Sequence, residues 1–126
     1  MRIAMLGLAA ALVAAPAVAQ SMNAEQLHRR ATALQKKGAT AIFSMGEVKK
    51  LTREVQAAGE KNRAARLAAV AAGKTPRYCP PSQAKGMDST EFMQRLSAIP
   101  AAERARIDIT EATARIMAVK FPCPAA

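Results

Sequence analysis

Apolar residues recur along this chain at helical spacing, and nowhere do they alternate as a half-buried strand requires. Asn23 and Gln26 have the form of a capping box, Leu27, Ala31 and Leu34 follow as one stripe, and Gly38 stops the helix after Lys36 and Lys37. Ile42 and Phe43 then read as a hydrophobic staple ahead of Ser44, with Glu47 answering Ser44 in a second capping box. Val48, Leu51, Val55 and Ala58 line the next stripe, which continues through Asn62, Ala65 and Ala69. Leu67 and Val70 leave that stripe by a quarter turn or more, so a kink or break is expected at residues 59–62. Gly73 ends this long helix.

Pro76, Pro80 and Pro81 make residues 73–87 a loop. Asp88 with Glu91 caps a third helix whose buried face is Phe92, Met93 and Leu96, and Ile99 followed by Pro100 breaks it. A short turn is expected at residues 101–104, and Asp108 with Glu111 caps a last helix that buries Ile109, Ala112, Ile116 and Val119. The expected fold is therefore all-α, a small bundle of about four helices, one of them long and kinked.

Ahead of these helices, Arg2 precedes an unbroken apolar run over residues 3–15, and Ala17, Val18 and Ala19 fit the small-x-small rule of a signal peptidase site. Residues 1–19 are read as a cleaved signal peptide, with processing between Ala19 and Gln20, and residues 20–126 as a single helical domain. The run is short for a bilayer span, and no later stretch is apolar for long enough to be one. The expected location is periplasmic or secreted.

Export gives the two cysteines their meaning. Cys79 and Cys123 lack the spacing of a redox or zinc motif, and in an oxidising compartment they read as a structural disulfide that staples residues 79–126. Such a staple matters here because only 17 of the 107 residues from Gln20 onward are Leu, Ile, Val or Phe. A core that thin relies on alanine for close helix approach and gains from covalent restraint.

Charge divides the chain unevenly. Residues 20–78 hold 12 Lys or Arg against 4 Glu, whereas residues 79–126 hold 6 against 5 acidic residues. Lys49, Lys50, Arg53, Lys61, Arg63 and Arg66 spread around the long helix as candidate partner-binding residues, and they suit an acidic protein surface or anionic envelope components. Nucleic acid does not fit, because no aromatic residue interleaves with the basic run as a stacking platform. Tyr78, beside Cys79, is a candidate anchor by interface propensity; its other reading is a residue packed against the disulfide.

Catalytic constellations are missing from the sequence. It has no nucleophile elbow, phosphate loop or HExxH, and His28 is its only histidine, read as a solvated helix residue. The carboxylates of the third and last helices stand at capping positions, and Met93 and Met117 read as core filler. No catalytic residue, metal ligand or cofactor is implied.

Cys79 in a loop, the helix through Phe92 and Leu96, Ile99 and Pro100, the helix from Ile109 to Val119, and the closing Phe121, Pro122 and Cys123 together resemble the periplasmic Rap/Tai immunity proteins of type VI secretion. The resemblance covers the C-terminal half. It implies a small helical protein, often dimeric, that binds and blocks a peptidoglycan-cleaving amidase. Members commonly carry a second disulfide, for which this chain has no cysteines, and the basic N-terminal half has no counterpart in the family pattern. Two expectations follow: a non-enzymatic inhibitor of an exported cell-wall hydrolase, or a basic envelope-associated protein that binds anionic lipid, glycan or polypeptide.

Overall fold

The chain is described by a computed structural model over residues 21–125. The expected signal peptide and its cleavage after Ala19 lie outside the described residues. Three of the helices start as their capping residues dictate. Asn23 Oδ1 accepts from the Gln26 amide at 3.1 Å and opens α1 (Ala24–Lys37), which Gly38 ends at φ 54°. Asp88 and Asp108 each accept from the amide three residues on, at 2.8 Å, and open α3 (Ser89–Ala98) and α5 (Ile109–Lys120). Pro100 precedes the one-turn α4 (Ala101–Arg104).

Helix α2 (Met45–Ala71) departs from its predicted start. Ser44 makes no capping bond; its hydroxyl accepts from Lys37 Nζ at 2.9 Å, and Glu47 turns away to Arg30. A 3₁₀ turn over Gly38–Ser44 runs directly into the helix, so preceding backbone carbonyls are at hand for its first amides. Nor do Ile42 and Phe43 form a staple, since they stand 67% and 89% exposed.

The helix also continues without a break through residues 59–62. Buried Asn62 keeps the stripe facing inward by donating to the carbonyls of Ala58 and Thr110, both at 3.0 Å. Leu67 and Val70, which lie off that stripe, are left exposed with no change of direction in the helix. The C-terminus closes as a Schellman motif: Gly73, at φ 70°, donates to Val70, and Lys74 donates to Ala69 at 2.8 Å.

The core is formed where α2 crosses α5, its broadest neighbour, with α1 and α3 completing it. Ala24, Leu27, Leu51, Ala58, Phe92, Met93, Leu96, Ile109, Ala112 and Ile116 make one buried cluster. Ala24, Ala58 and Ala112 are all but fully buried, and their small side chains allow the helices to approach closely. Val119 was expected in this face but is 74% exposed. By that point α5 lies beside the first turn of α3, where Lys120 bonds Glu91 at 2.7 Å, and the apolar cluster ends at Ile116.

Covalent and polar ties hold the two ends of the C-terminal half together. Cys79 and Cys123 are bonded, with their Cα atoms 4.8 Å apart, and the Cys79 amide donates to the Phe121 carbonyl at 2.8 Å. Arg77 grips Glu111 through two bonds, at 2.6 and 3.0 Å. The N-terminal end is pinned to the segment before α5 by Ala24 donating to Ile107 at 3.0 Å and Ile109 donating to Met22 at 2.7 Å. Arg104 fastens α1 to the α3–α4 corner: it is buried, bonds Glu25 Oε2 at 2.6 Å, and donates to the Ile99 carbonyl.

A candidate binding groove with a basic rim

Because α2 leans mainly on α5, its contact with α1 is narrower, and an apolar groove of about 560 Å³ opens among α1, α2, α3 and α5. Leu34, Val48, Val55, Phe92, Ile116 and Met117 are among the side chains that line it. Small residues create the space. Ala31 faces it from α1, and Gly59 faces it from α2, where an added Cβ would meet nothing within 4 Å. Met87, Met93 and Met117 give the walls adaptable, polarisable surface, which suits a site that accommodates an apolar guest.

Polar groups are few. Gln35, Gln56, Thr52, the helix-capping Asp88 and the adjacent Ser89 stand in the lining, with Thr113, whose buried hydroxyl has no hydrogen-bond partner. Val48 and Thr52 also belong to a shallower depression of about 300 Å³ completed by Lys49 and Arg53. The mouth of the apolar groove is therefore bordered on the α2 side by two exposed cations.

The six basic residues singled out from the sequence do not form one patch. Lys49 and Arg53 lie at the groove rim, and Lys50 lies on another flank of α2, near Glu47. Lys61 donates to Ser21 at 3.0 Å, and Arg63 is exposed further along the helix. Arg66 lies over the ring of Tyr78, 5.6 Å from its centroid. Tyr78 itself is only 5% exposed. It is a packed residue beside the disulfide, which corrects its candidacy as a surface anchor.

Ion pairs set the titration of four glutamates. Glu25 is held below the usual carboxylate range chiefly by its bond to Arg104, Glu47 by Arg30, Glu91 by Lys120 and then Arg95, and Glu111 by Arg77. His28 is half-buried instead of solvated: its Nε2 lies 3.0 Å from Ser97 Oγ, and burial, followed by the charge of Arg104, depresses its pKa. Each of these arrangements serves cohesion. Among the described residues, no group of three or more His, Cys, Asp or Glu is placed to hold a metal ion, and no helix is long and apolar enough to cross a membrane.

Fold and groove together define an all-helical, disulfide-stapled protein with an apolar recess on one side. No family model, curated protein or solved structure matches the chain. The groove was not legible in the sequence as a site. Its only signals were the small residues at positions 31 and 59 and the scattered methionines, which read equally well as ordinary helix packing.

Proposed function

We propose that this is an exported, non-enzymatic interaction protein that binds another exported polypeptide and blocks it, the expected target being a peptidoglycan-cleaving amidase. The observation that carries a binding role is the apolar groove with Lys49 and Arg53 at its mouth. Its chemistry suits a partner segment that offers apolar side chains flanked by carboxylates. The disulfide and the Arg77–Glu111 pair hold the C-terminal half rigid, so little conformational freedom is lost when a partner docks. The choice of an amidase rests on the resemblance of the C-terminal half to the Rap/Tai immunity proteins.

Gly59→Leu provides a direct test, because it fills open space in the groove and replaces a helix-interior glycine with a better helix former. The protein is co-expressed in the periplasm with a neighbouring or best-matched amidase, and lysis is followed. The wild type is expected to protect; Gly59→Leu and the pair Lys49→Glu with Arg53→Glu are expected to lose protection while their melting temperatures hold. Lysis as fast as with the amidase alone, despite good expression of the wild type, removes that amidase as the target. Full protection by Gly59→Leu removes the groove as the means.

A further inference from the structure

At the far end of the α1–α2 hairpin, the fold leaves large apolar side chains exposed beside lysines. None of the seven residues of the Gly38–Ser44 turn is buried, and Ile42, Phe43 and Met45 are all exposed. Single exposed apolar residues are ordinary, but three within four positions at one tip form a contiguous patch. Cations stand on both sides of it. Lys36 and Lys37 come from the last turn of α1, and Lys49 and Lys50 from the second turn of α2. Residues 36–53 contain five Lys or Arg and a single carboxylate, Glu47. Glu47 is bound by Arg30, and both Lys37 and Lys50 are close enough to help lower its pKa. Its negative charge is thus more than matched before any partner arrives.

We propose that this tip docks on an anionic lipid bilayer, with Ile42, Phe43 and Met45 entering the boundary between headgroups and acyl chains and the four lysines meeting the headgroup phosphates. The shape selects this partner. The apolar side chains stand exposed at the end of a hairpin and line neither of the two recesses, and an exposed apolar tip flanked by lysines fits a soft apolar layer beneath an anionic plane without requiring a complementary pocket. Lysine stems can lie along the apolar layer while their ammonium groups stay with the phosphates. The turn is also braced: Thr40 Oγ1 donates to the Lys37 carbonyl at 2.6 Å, and Lys37 Nζ donates to Ser44 Oγ at 2.9 Å.

Lys49 also borders the groove mouth, so tip and groove share that cation, whereas the disulfide end lies far along α2. Arg66, which lies over the Tyr78 ring, is 21 positions beyond Met45 in the same helix. At the helical rise that places the disulfide end roughly 30 Å from the tip. A chain held by its tip therefore keeps its stapled half away from the lipid surface.

The test uses protein recovered from the periplasm, its N-terminus verified by mass, with vesicles of phosphatidylcholine alone or of equal parts phosphatidylcholine and phosphatidylglycerol. Co-sedimentation is expected with the anionic vesicles and not with the neutral ones, and it should weaken as salt rises. The double variant Ile42→Ser with Phe43→Ser is expected to lose about tenfold or more in partitioning, from the apolar area withdrawn. Each Lys→Gln change at positions 36, 37, 49 and 50 is expected to lose about fivefold. Since the chain has no tryptophan, Phe43→Trp provides a single reporter whose emission should shift to the blue on anionic vesicles.

Several results would overturn the proposal: no binding to anionic vesicles, equal binding to neutral ones, or full binding by the Ile42, Phe43 double variant. The same holds if Arg106→Glu, at an exposed site remote from the tip, costs as much as Lys50→Glu. Capture of a protein by the tip in the absence of vesicle binding would likewise assign the surface elsewhere.

Discussion

After Tyr78, the carboxylates are used to hold the molecule together. Glu91 bonds both Arg95 and Lys120, and Glu111 bonds both Arg77 and Arg115, so each of these carboxylates is matched once within its own helix and once by a neighbouring element. The hairpin before Tyr78 differs most at its far end, where lysines crowd one paired carboxylate and three large apolar side chains face outward. The two regions share helix-capping grammar and alanine-rich packing, yet one has its charges engaged and the other displays them. Charge engaged in cohesion is lost to recognition. The displayed charge and apolar surface of the hairpin are therefore where partners are expected, and the stapled half is where stability is concentrated.

The sharpest way to break this contrast is to cut the staple. A disulfide that closes a loop over a sequence separation of 44 contributes about 4 kcal/mol in the chain-entropy model. Cys79→Ser with Cys123→Ser is expected to lower stability by that order in chemical denaturation. A loss near zero would mean that the paired charges and the core suffice without it.

Arg104 comes next. It is buried between α1 and the α3–α4 corner, and Arg104→Met strands Glu25, which keeps only Arg29 as an ionic partner. Breaking such a pair is expected to cost about 3 kcal/mol, measurable as a shift in denaturation midpoint. The exposed Arg106→Met is expected to cost less than about 0.5 kcal/mol. Similar costs at both sites would show that Arg104 is an ordinary surface residue.

Acidification sharpens the comparison further. Glu25, Glu47, Glu91 and Glu111 all titrate below the reference value of 4.5 in the folded chain. Their contribution is therefore complete above the unfolded-state pKa and is lost as pH falls through the lower folded values. His28 acts in the same direction at higher pH, because its depressed pKa makes the unfolded chain take up the proton first as pH drops below about 6.5. Melting temperature is expected to fall in two stages, shallowly through the histidine range and steeply between the unfolded carboxylate value and the lower folded ones. His28→Gln is expected to remove the first stage only.

The smallest stability effect is expected at the tip. Ile42→Ser and Phe43→Ser alter side chains that the fold does not bury, so unfolding free energy is expected to stay within about 0.5 kcal/mol of wild type. A larger loss, seen in the same denaturation experiment, would mean that the tip packs in solution and is not displayed.

Local grammar in the sequence was enough to place most of the elements. Asn23, Asp88 and Asp108 announced three helix starts, Gly38 and Gly73 announced two ends, and the two lone cysteines announced their own bond. Each rests on interactions within a few residues, or on cysteine having a single partner, so the order of residues determines the outcome. Tertiary packing decided the rest. Ser44 lost its cap because Lys37 and Arg30 arrive from α1 to take its hydroxyl and Glu47. Asn62 sits in an apolar stripe because Thr110, 48 positions away, supplies a carbonyl for it. Tyr78 is covered by Arg66, Arg104 is buried against Glu25, and the groove exists because α2 leans towards α5 and away from α1. Which side chains meet across such separations depends on how the helices are stacked, and a single helix's periodicity does not carry that information.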